Sequence, residues 1–184
     1  GVGFLLEPTR PTVSLPNSML RFYPVRRDVL DDQIHSFPLI VLSHRQGEAF
    51  WIMPGAQADA LRRPAAYDQE QATPYYYSTR FDDSLVRTEF APSERCGYYR
   101  FTFPNQQPLL LLANRHDGEL AVDPNGEVTG VESFNNMKAY VYGQFSKAVK
   151  VEQAKDGAKS RLVVRAERKA ETLEFRYAIS FISI

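Results

Sequence analysis

Two polar segments carry most of the side chains in this sequence that could do chemistry. One is Ser43-His-Arg-Gln-Gly-Glu48, and the other is Asn114-Arg-His-Asp-Gly-Glu119. Both follow strongly apolar runs, and side chains at the end of a strand can reach a ligand while a rigid scaffold holds them. Their imidazole, guanidinium and carboxylate groups suit hydrogen bonding to a polar ligand. For the second segment a loop that caps a strand is favoured, because its Asp-Gly-Glu end leads straight into the next predicted strand.

The sequence lacks the common catalytic and cofactor motifs. It has no P-loop, no metal-spaced Cys and His cluster, no His-Glu-x-x-His and no Gly-x-Ser-x-Gly. The adjacent Asp31 and Asp32 predict a solvated turn, because neighbours in sequence rarely converge on one substrate. No separated pair of carboxylates can be assigned as acid and base, so the sequence predicts no catalytic residue and no metal ligand in this chain.

Composition narrows the classes of ligand. Lys plus Arg equals Asp plus Glu at 22 each, so neither nucleic acid nor an anionic membrane is favoured as a partner. The longest apolar run falls far short of the roughly 18 residues of a membrane-spanning helix. Cys96, the single cysteine, is expected to be a small buried hydrophobe. Because the sequence starts with Gly1, we expect a trimmed start, and the missing signal peptide does not decide the compartment.

The first polar segment lies within the stretch that organises the predicted fold, Gln33 to Pro54. Apolar runs at 37–42 and 49–53 flank it, and such runs joined by a short Gly-containing connection predict a β-hairpin buried on both faces. Trp51 is part of the second run. We expect it to be a core residue, with a platform for a sugar ring as the alternative.

The rest of the chain predicts a series of short strands. They are expected at 75–79, 84–90, 97–103, 109–113, 119–122, 127–131, 137–145, 161–167 and 173–184. In the strand at 137–145, Met137, Ala139, Val141 and Phe145 should face inward. A short helical turn over 56–63 is the only helix candidate. More than ten short strands predict an all-β fold, a large antiparallel sandwich that forms one domain over residues 1–184.

Several segments read together resemble the N-terminal domain of glycoside hydrolase family 92, the exo-acting α-mannosidases abundant in gut Bacteroidetes. The similarity lies in residues 12–24, 37–43 with the Met53-Pro54 ending, 72–78, 89–104, 141–146 and 179–183. Each segment alone is a weak motif, but all six occur in the family's order. The resemblance covers nearly the whole chain.

This resemblance implies a galactose mutarotase-like β-supersandwich. In full-length members a helical (α/α)6 domain follows and carries the acid, the base and the calcium of an inverting α-mannoside hydrolysis. The candidate substrate-binding residues here are then His44, Arg45, Gln46 and Glu48. They lie in a connector shorter than the His-, Gly- and Ser-rich loop that is usual at this place in the family. We expect no cofactor in this chain itself.

The sequence therefore predicts the non-catalytic N-terminal domain of an exo-α-mannosidase that is secreted, periplasmic or a cell-surface lipoprotein. Its partners would be the C-terminal helical domain of the same polypeptide and an α-mannoside glycan. Nucleic acid and a membrane-spanning segment are not expected. The alternative is a free-standing carbohydrate-binding or structural sandwich.

Overall fold

A computed structural model describes residues 12–16, 19–27, 32–43, 47–55, 63–104, 107–134, 136–156, 159–168 and 170–183. Within these ranges the chain forms sixteen β-strands and no helix. The strands are β1 (Val13–Ser14), β2 (Arg21–Phe22), β3 (Gln33–Ile34), β4 (Phe37–Ser43), β5 (Gly47–Pro54), β6 (Ala65–Thr73), β7 (Tyr76–Phe81), β8 (Arg87–Pro92), β9 (Cys96–Thr102), β10 (Leu109–Ala113), β11 (Asp117–Val122), β12 (Glu127–Phe134), β13 (Met137–Phe145), β14 (Val149–Asp156), β15 (Lys159–Ala166) and β16 (Thr172–Ser180). None of the described residues forms a helix that could cross a membrane.

The strands form a two-stranded ribbon, β1 with β2, and two larger sheets. The order is β14-β15-β10-β5-β4 in the five-stranded sheet and β11-β12-β13-β16-β9-β8-β7-β6-β3 in the nine-stranded sheet. Every pair within them is antiparallel. Side chains of both sheets, such as Ile52 and Leu112 of the smaller and Tyr99 and Val141 of the larger, share one apolar cluster. The predicted all-β antiparallel sandwich is confirmed.

Residue alternation explains how the two sheets bury one face each. In β15 every second residue, from Ser160 to Ala166, is buried, while the residues between them are half-buried or exposed. Strand β10 differs because all five of its residues are buried. A continuously apolar strand suits the centre of a sheet that is covered on both faces, and β10 does lie in the middle of its sheet, between β15 and β5.

Two buried tyrosines connect the sheets through their hydroxyl groups. Tyr99 on β9 donates a hydrogen bond to the carbonyl of Pro38 at 2.8 Å, and Tyr177 on β16 donates to the carbonyl of Leu39 at 2.9 Å. Burial raises the pKa of both phenols well above the usual value, so they remain donors. Since both carbonyls belong to β4, the hydrogen bonds attach the β4–β5 hairpin to the nine-stranded sheet.

The hairpin predicted around the first polar segment is formed by β4 and β5. Phe37 pairs with Ile52 and Ile40 with Ala49, and the register shifts between Val41 and Ser43, next to the connector. The strands predicted at 119–122 and 127–131 correspond to β11 and β12, which pair around an Asn-Gly turn. Gly126 in that turn has a φ of +86°, which glycine adopts without steric cost.

Three expectations about single side chains were wrong in whole or in part. Cys96 is exposed, because Gly97, Tyr99 and Phe101 take the inward positions of β9. Met137 is 40% exposed, because it is the first residue of β13 and lies at the end of that strand. Trp51 is only partly buried and packs against a small apolar cluster, Leu109 and Leu111, as well as against the main core.

The sequence also gave no indication of two strands. Most side chains of β6 are exposed, and β14 is an edge strand with charged residues between its valines. Such strands form because a neighbour supplies hydrogen-bond partners, and they carry little hydrophobic periodicity of their own. Of the helix candidate at 56–63, residues 56–62 lie outside the described part of the chain.

Candidate functional site

Glu48 stands near the start of strand β5, directly after Gly47. Gly47 has a φ of +80°, a left-handed conformation that favours glycine. The Glu48 carboxylate accepts hydrogen bonds from Tyr23 Oη at 2.8 Å and from Arg115 Nη2 at 3.4 Å. The Glu48 side chain is 12% exposed and that of Arg115 is 41% exposed. The carboxylate is therefore held from the interior by Tyr23 and from the surface side by Arg115.

The two polar segments of the sequence meet at Glu48. Arg115 and His116 belong to the short connection between β10 and β11, and His116 Nε2 lies 3.0 Å from the Glu48 carbonyl oxygen. A carbonyl oxygen can only accept, so this contact assigns a proton to Nε2. The second segment thus contributes a guanidinium and an imidazole to the surroundings of the first, besides leading into the next strand.

A second carboxylate, that of Glu132 on β12, is fully buried next to these residues. Its Oε1 accepts the backbone N–H groups of Phe50 at 3.0 Å and of Arg115 at 2.7 Å, and its Oε2 accepts that of His116 at 3.2 Å. Burial raises the pKa of Glu132 to about 7, although the three N–H donors and the nearby Arg115 charge favour the ionised form. Glu132 therefore binds the main chain on both sides of the site.

We call these five residues, Tyr23, Glu48, Arg115, His116 and Glu132, the Glu48 cluster. Glu132 is not exposed and cannot touch a ligand, whereas Arg115 and a small part of Glu48 reach the surface. A guanidinium next to a carboxylate offers both donors and acceptors, which suits the hydroxyl groups of a sugar. The chemistry that this arrangement supports is hydrogen bonding to a polar ligand.

Of the four binding residues predicted from the sequence, the structure places Glu48 in this cluster. His44, Arg45 and Gln46 lie outside the described residues, so their role stays a prediction. Among the residues that the structure does describe, no group of three or more His, Cys, Asp or Glu side chains is placed to hold a metal ion.

Sequence reasoning missed Tyr23 and Glu132. Tyr23 lies just after β2, and no local pattern connects it with Glu48. Glu132 did leave a detectable pattern, because alternation places it on the same inward face as Val128 and Gly130. A carboxylate at an inward position must find hydrogen-bond partners. The alternation of inward and outward residues along the strand could therefore have identified Glu132 as a buried, hydrogen-bonded carboxylate.

Comparison with known proteins gives one family. The sequence model of the Glycosyl hydrolase family 92 N-terminal domain matches residues 6–181, which is nearly the whole chain. A comparison with curated proteins finds no match.

Several solved structures share the fold. The family GH92 inverting mannosidase BT2199 from Bacteroides thetaiotaomicron VPI-5482 is 21% identical with a TM-score of 0.83, over 96% of this chain and 29% of that one. The GH92 family glycosyl hydrolase ccman5 is 16% identical with a TM-score of 0.73, over 94% and 30%. The family GH92 α-mannosidase BT3965 from Bacteroides thetaiotaomicron is 16% identical with a TM-score of 0.72, over 96% and 32%. The chain thus spans about three tenths of the length of these proteins.

Proposed function

Because the chain belongs to the N-terminal domain family of the family 92 glycosyl hydrolases, we propose that it serves an exo-α-mannosidase as a non-catalytic domain. In this proposal the domain packs on an (α/α)6 catalytic domain of the same polypeptide and contributes hydrogen-bonding groups to the glycan pocket. The observation that carries the proposal is the family match over residues 6–181. In this proposal, residues of the Glu48 cluster provide the hydrogen-bonding groups that the domain contributes to the glycan pocket.

The positions of the cluster's two carboxylates support a binding role rather than a catalytic one. An inverting glycosidase needs two carboxyl groups that face the sugar from opposite sides, about 6.5–9.5 Å apart. Glu132 has no exposed surface, and its oxygens are occupied by main-chain N–H groups. Glu48 is engaged by Tyr23 and Arg115. We therefore place the acid and the base, together with the calcium of the calcium-dependent inverting reaction, in the helical domain.

The partly exposed Arg115 supports the contact with a glycan. Its guanidinium has five N–H donors in a fixed plane, and among the described residues its side-chain hydrogen bond goes to Glu48 Oε2. The remaining donors can serve sugar hydroxyl groups. We also propose a secreted, periplasmic or cell-surface lipoprotein location for the protein, as the family resemblance implies.

A hydrolysis assay of the 184-residue chain alone tests the non-catalytic role. We expect no release of mannose from α-mannoside substrates, with or without calcium, because the proposal assigns the acid, base and metal to another domain. A complete family 92 mannosidase under the same conditions is the positive control. Turnover that Glu48→Gln abolishes would place the active site in this sandwich and contradict the proposal.

The gene provides an independent test of the domain arrangement. Several hundred further codons with helical periodicity after Ile184 are expected. A stop codon directly after Ile184 would instead support a free-standing carbohydrate-binding or structural sandwich.

A further inference from the structure

Glu132 connects two parts of the chain that are far apart in sequence. It binds the main chain of β5 through the Phe50 N–H and the main chain of the β10–β11 connection through the N–H groups of Arg115 and His116. These are the two parts that carry the exposed side of the Glu48 cluster. Strands β5 and β10 pair directly as far as Trp51 and Ala113, and beyond this pairing the buried Glu132 holds the two parts together.

The backbone of β5 is distorted at the point where Glu132 binds it. Phe50 has a φ of +46°, which is uncommon for a residue other than glycine and costs conformational energy unless its surroundings stabilise it. The Phe50 N–H donates to Glu132 Oε1 at 3.0 Å, so the carboxylate is a partner that stabilises this conformation. Glu48 lies two residues earlier on the same strand, and a relaxed backbone at Phe50 would change where its side chain points.

The same carboxylate determines how the β10–β11 connection lies. The N–H groups of Arg115 and His116 are consecutive, and both point at Glu132, at 2.7 and 3.2 Å. With the main chain fixed in this way, the His116 ring reaches the Glu48 carbonyl and the Arg115 guanidinium reaches the Glu48 carboxylate. The Arg115 side-chain contact, at 3.4 Å, is longer and more exposed than its main-chain contact at 2.7 Å, so the position of the guanidinium follows from that of the main chain.

We propose that Glu132 is the positioning residue of the Glu48 cluster. By binding the main chain on both sides, it sets the position of Arg115 and His116 relative to Glu48, and with it the hydrogen-bond pattern that the site presents to a glycan. The last part of this inference rests on the proposed function, whereas the positioning itself does not.

Glutamine is the informative replacement at this position. A carboxylate accepts at both oxygens, but the amide of glutamine keeps one acceptor and turns the other atom into a donor that faces an N–H group. Glu132→Gln has nearly the same shape, so it should keep the apolar packing of β12. It should retain the contacts to Phe50 and Arg115 and lose the one to His116.

Any test must distinguish the effect of Glu132 from the effects of the charged and titratable groups around it. Arg115 and His116 lie on the β10–β11 connection, and Glu48 and Tyr23 lie on the side of β5. Of these groups, His116 carries the imidazole, and its backbone N–H binds Glu132 directly. The variant His116→Gln therefore serves as the matched control.

Amide and imidazole resonances of the 184-residue chain, followed by NMR between pH 5 and 9, test the positioning directly. We expect the amide signals of Phe50, Arg115 and His116 to shift with one common midpoint near pH 7. That midpoint should persist for Phe50 and Arg115 in His116→Gln and disappear in Glu132→Gln. In Glu132→Gln the His116 ring should also change from the single Nε2-protonated tautomer to the tautomer mixture of a solvated imidazole.

Two results would overturn the inference. One is separate midpoints for Phe50 and Arg115 in the wild-type chain, a result that needs no variant to fold. The other is an unchanged His116 ring in Glu132→Gln. A titration with mannobiose tests the glycan-binding role independently of the positioning role. If mannobiose does not bind while the NMR results are as expected, the proposed glycan pocket is contradicted and the positioning role of Glu132 is not.

Discussion

The carboxylate of Glu132 experiences two opposing influences at the scale of single residues. Removal from water disfavours its charge, while three main-chain N–H groups and the Arg115 guanidinium favour it. Burial is the larger influence and brings the pKa to about 7. Oε1 accepts two short hydrogen bonds and Oε2 a single longer one, so Oε2 is the oxygen better placed to take the proton. The main-chain geometry of the site therefore includes a group that titrates near neutral pH.

The raised pKa of Glu132 predicts how stability depends on pH. Between an unfolded-state pKa near 4.5 and a folded-state pKa of about 7, the folded chain binds one more proton than the unfolded chain. The stabilisation that Glu132 contributes to the free energy of unfolding is therefore fully present below pH 4.5. It falls by about 1.4 kcal/mol per pH unit between pH 4.5 and pH 7, a loss of about 3 kcal/mol in total. Urea unfolding at pH 5, 6, 7 and 8 measures it.

The control for this experiment is an exposed carboxylate on the same strand, Glu127. Glu132→Gln should remove the decrease, so that the free energy of unfolding of the wild type minus that of the variant falls as the pH rises from 4.5 to 7. Glu127→Gln should keep the wild-type pH dependence. Parallel stability curves for wild type and Glu132→Gln would show that Glu132 has no raised pKa.

At the scale of elements, the β4–β5 hairpin is the part of the fold that positions the site. It carries Glu48, and its β4 strand is attached to the nine-stranded sheet by the hydroxyl groups of Tyr99 and Tyr177. Glu132 makes a third connection between the sheets, from β12 to β5. Each of these contacts is a polar group buried with a partner, and such groups fix one register among several that apolar packing would allow.

We expect removal of one tyrosine hydroxyl to destabilise the sandwich measurably. Tyr99→Phe leaves the Pro38 carbonyl buried without its partner, at a cost of about 1–2 kcal/mol in the free energy of unfolding. Tyr142→Phe is the matched control, because Tyr142 is 44% exposed and its hydroxyl donates to the exposed Glu127. Its effect should stay within about 0.5 kcal/mol. Equal midpoints of urea unfolding for the two variants would contradict the role given to Tyr99.

The elements that the sequence predicts well are those with strong periodicity. The bounds of β10 and β13 agree with the prediction to the residue, and the β4–β5 hairpin was recognised from its apolar runs. Strands β6 and β14 were not predicted, because their side chains are mainly polar and their partners are distant in sequence. The site follows the same rule: the two polar segments are visible as local patterns, but their meeting depends on how β5, β10 and β12 are arranged in space.

At the scale of the whole molecule, the sandwich covers about three tenths of the length of the mannosidases that share its fold. We propose that this sandwich has a binding role in a longer enzyme and that the remainder of that enzyme carries out the hydrolysis. It follows that changes at Arg115, the more exposed side chain of the ion pair in the Glu48 cluster, should alter the activity of the longer protein without altering the stability of the sandwich. Activity and stability can therefore be separated by experiment.

The most direct measurement is kcat/KM for α-mannosides in the longer protein that the proposal describes, in which a catalytic domain would follow this chain. Arg115→Ala and Glu48→Gln should each lower kcat/KM by about 10-fold or more, on the order of 1.4 kcal/mol, and Arg115→Ala should leave the Tm unchanged. Arg165→Ala is the matched control, because Arg165 forms a surface pair with Glu152 at the same 3.4 Å, outside the cluster, and should leave the kinetics unchanged. Wild-type kinetics in both cluster variants would show that the Glu48 cluster does not belong to the glycan pocket.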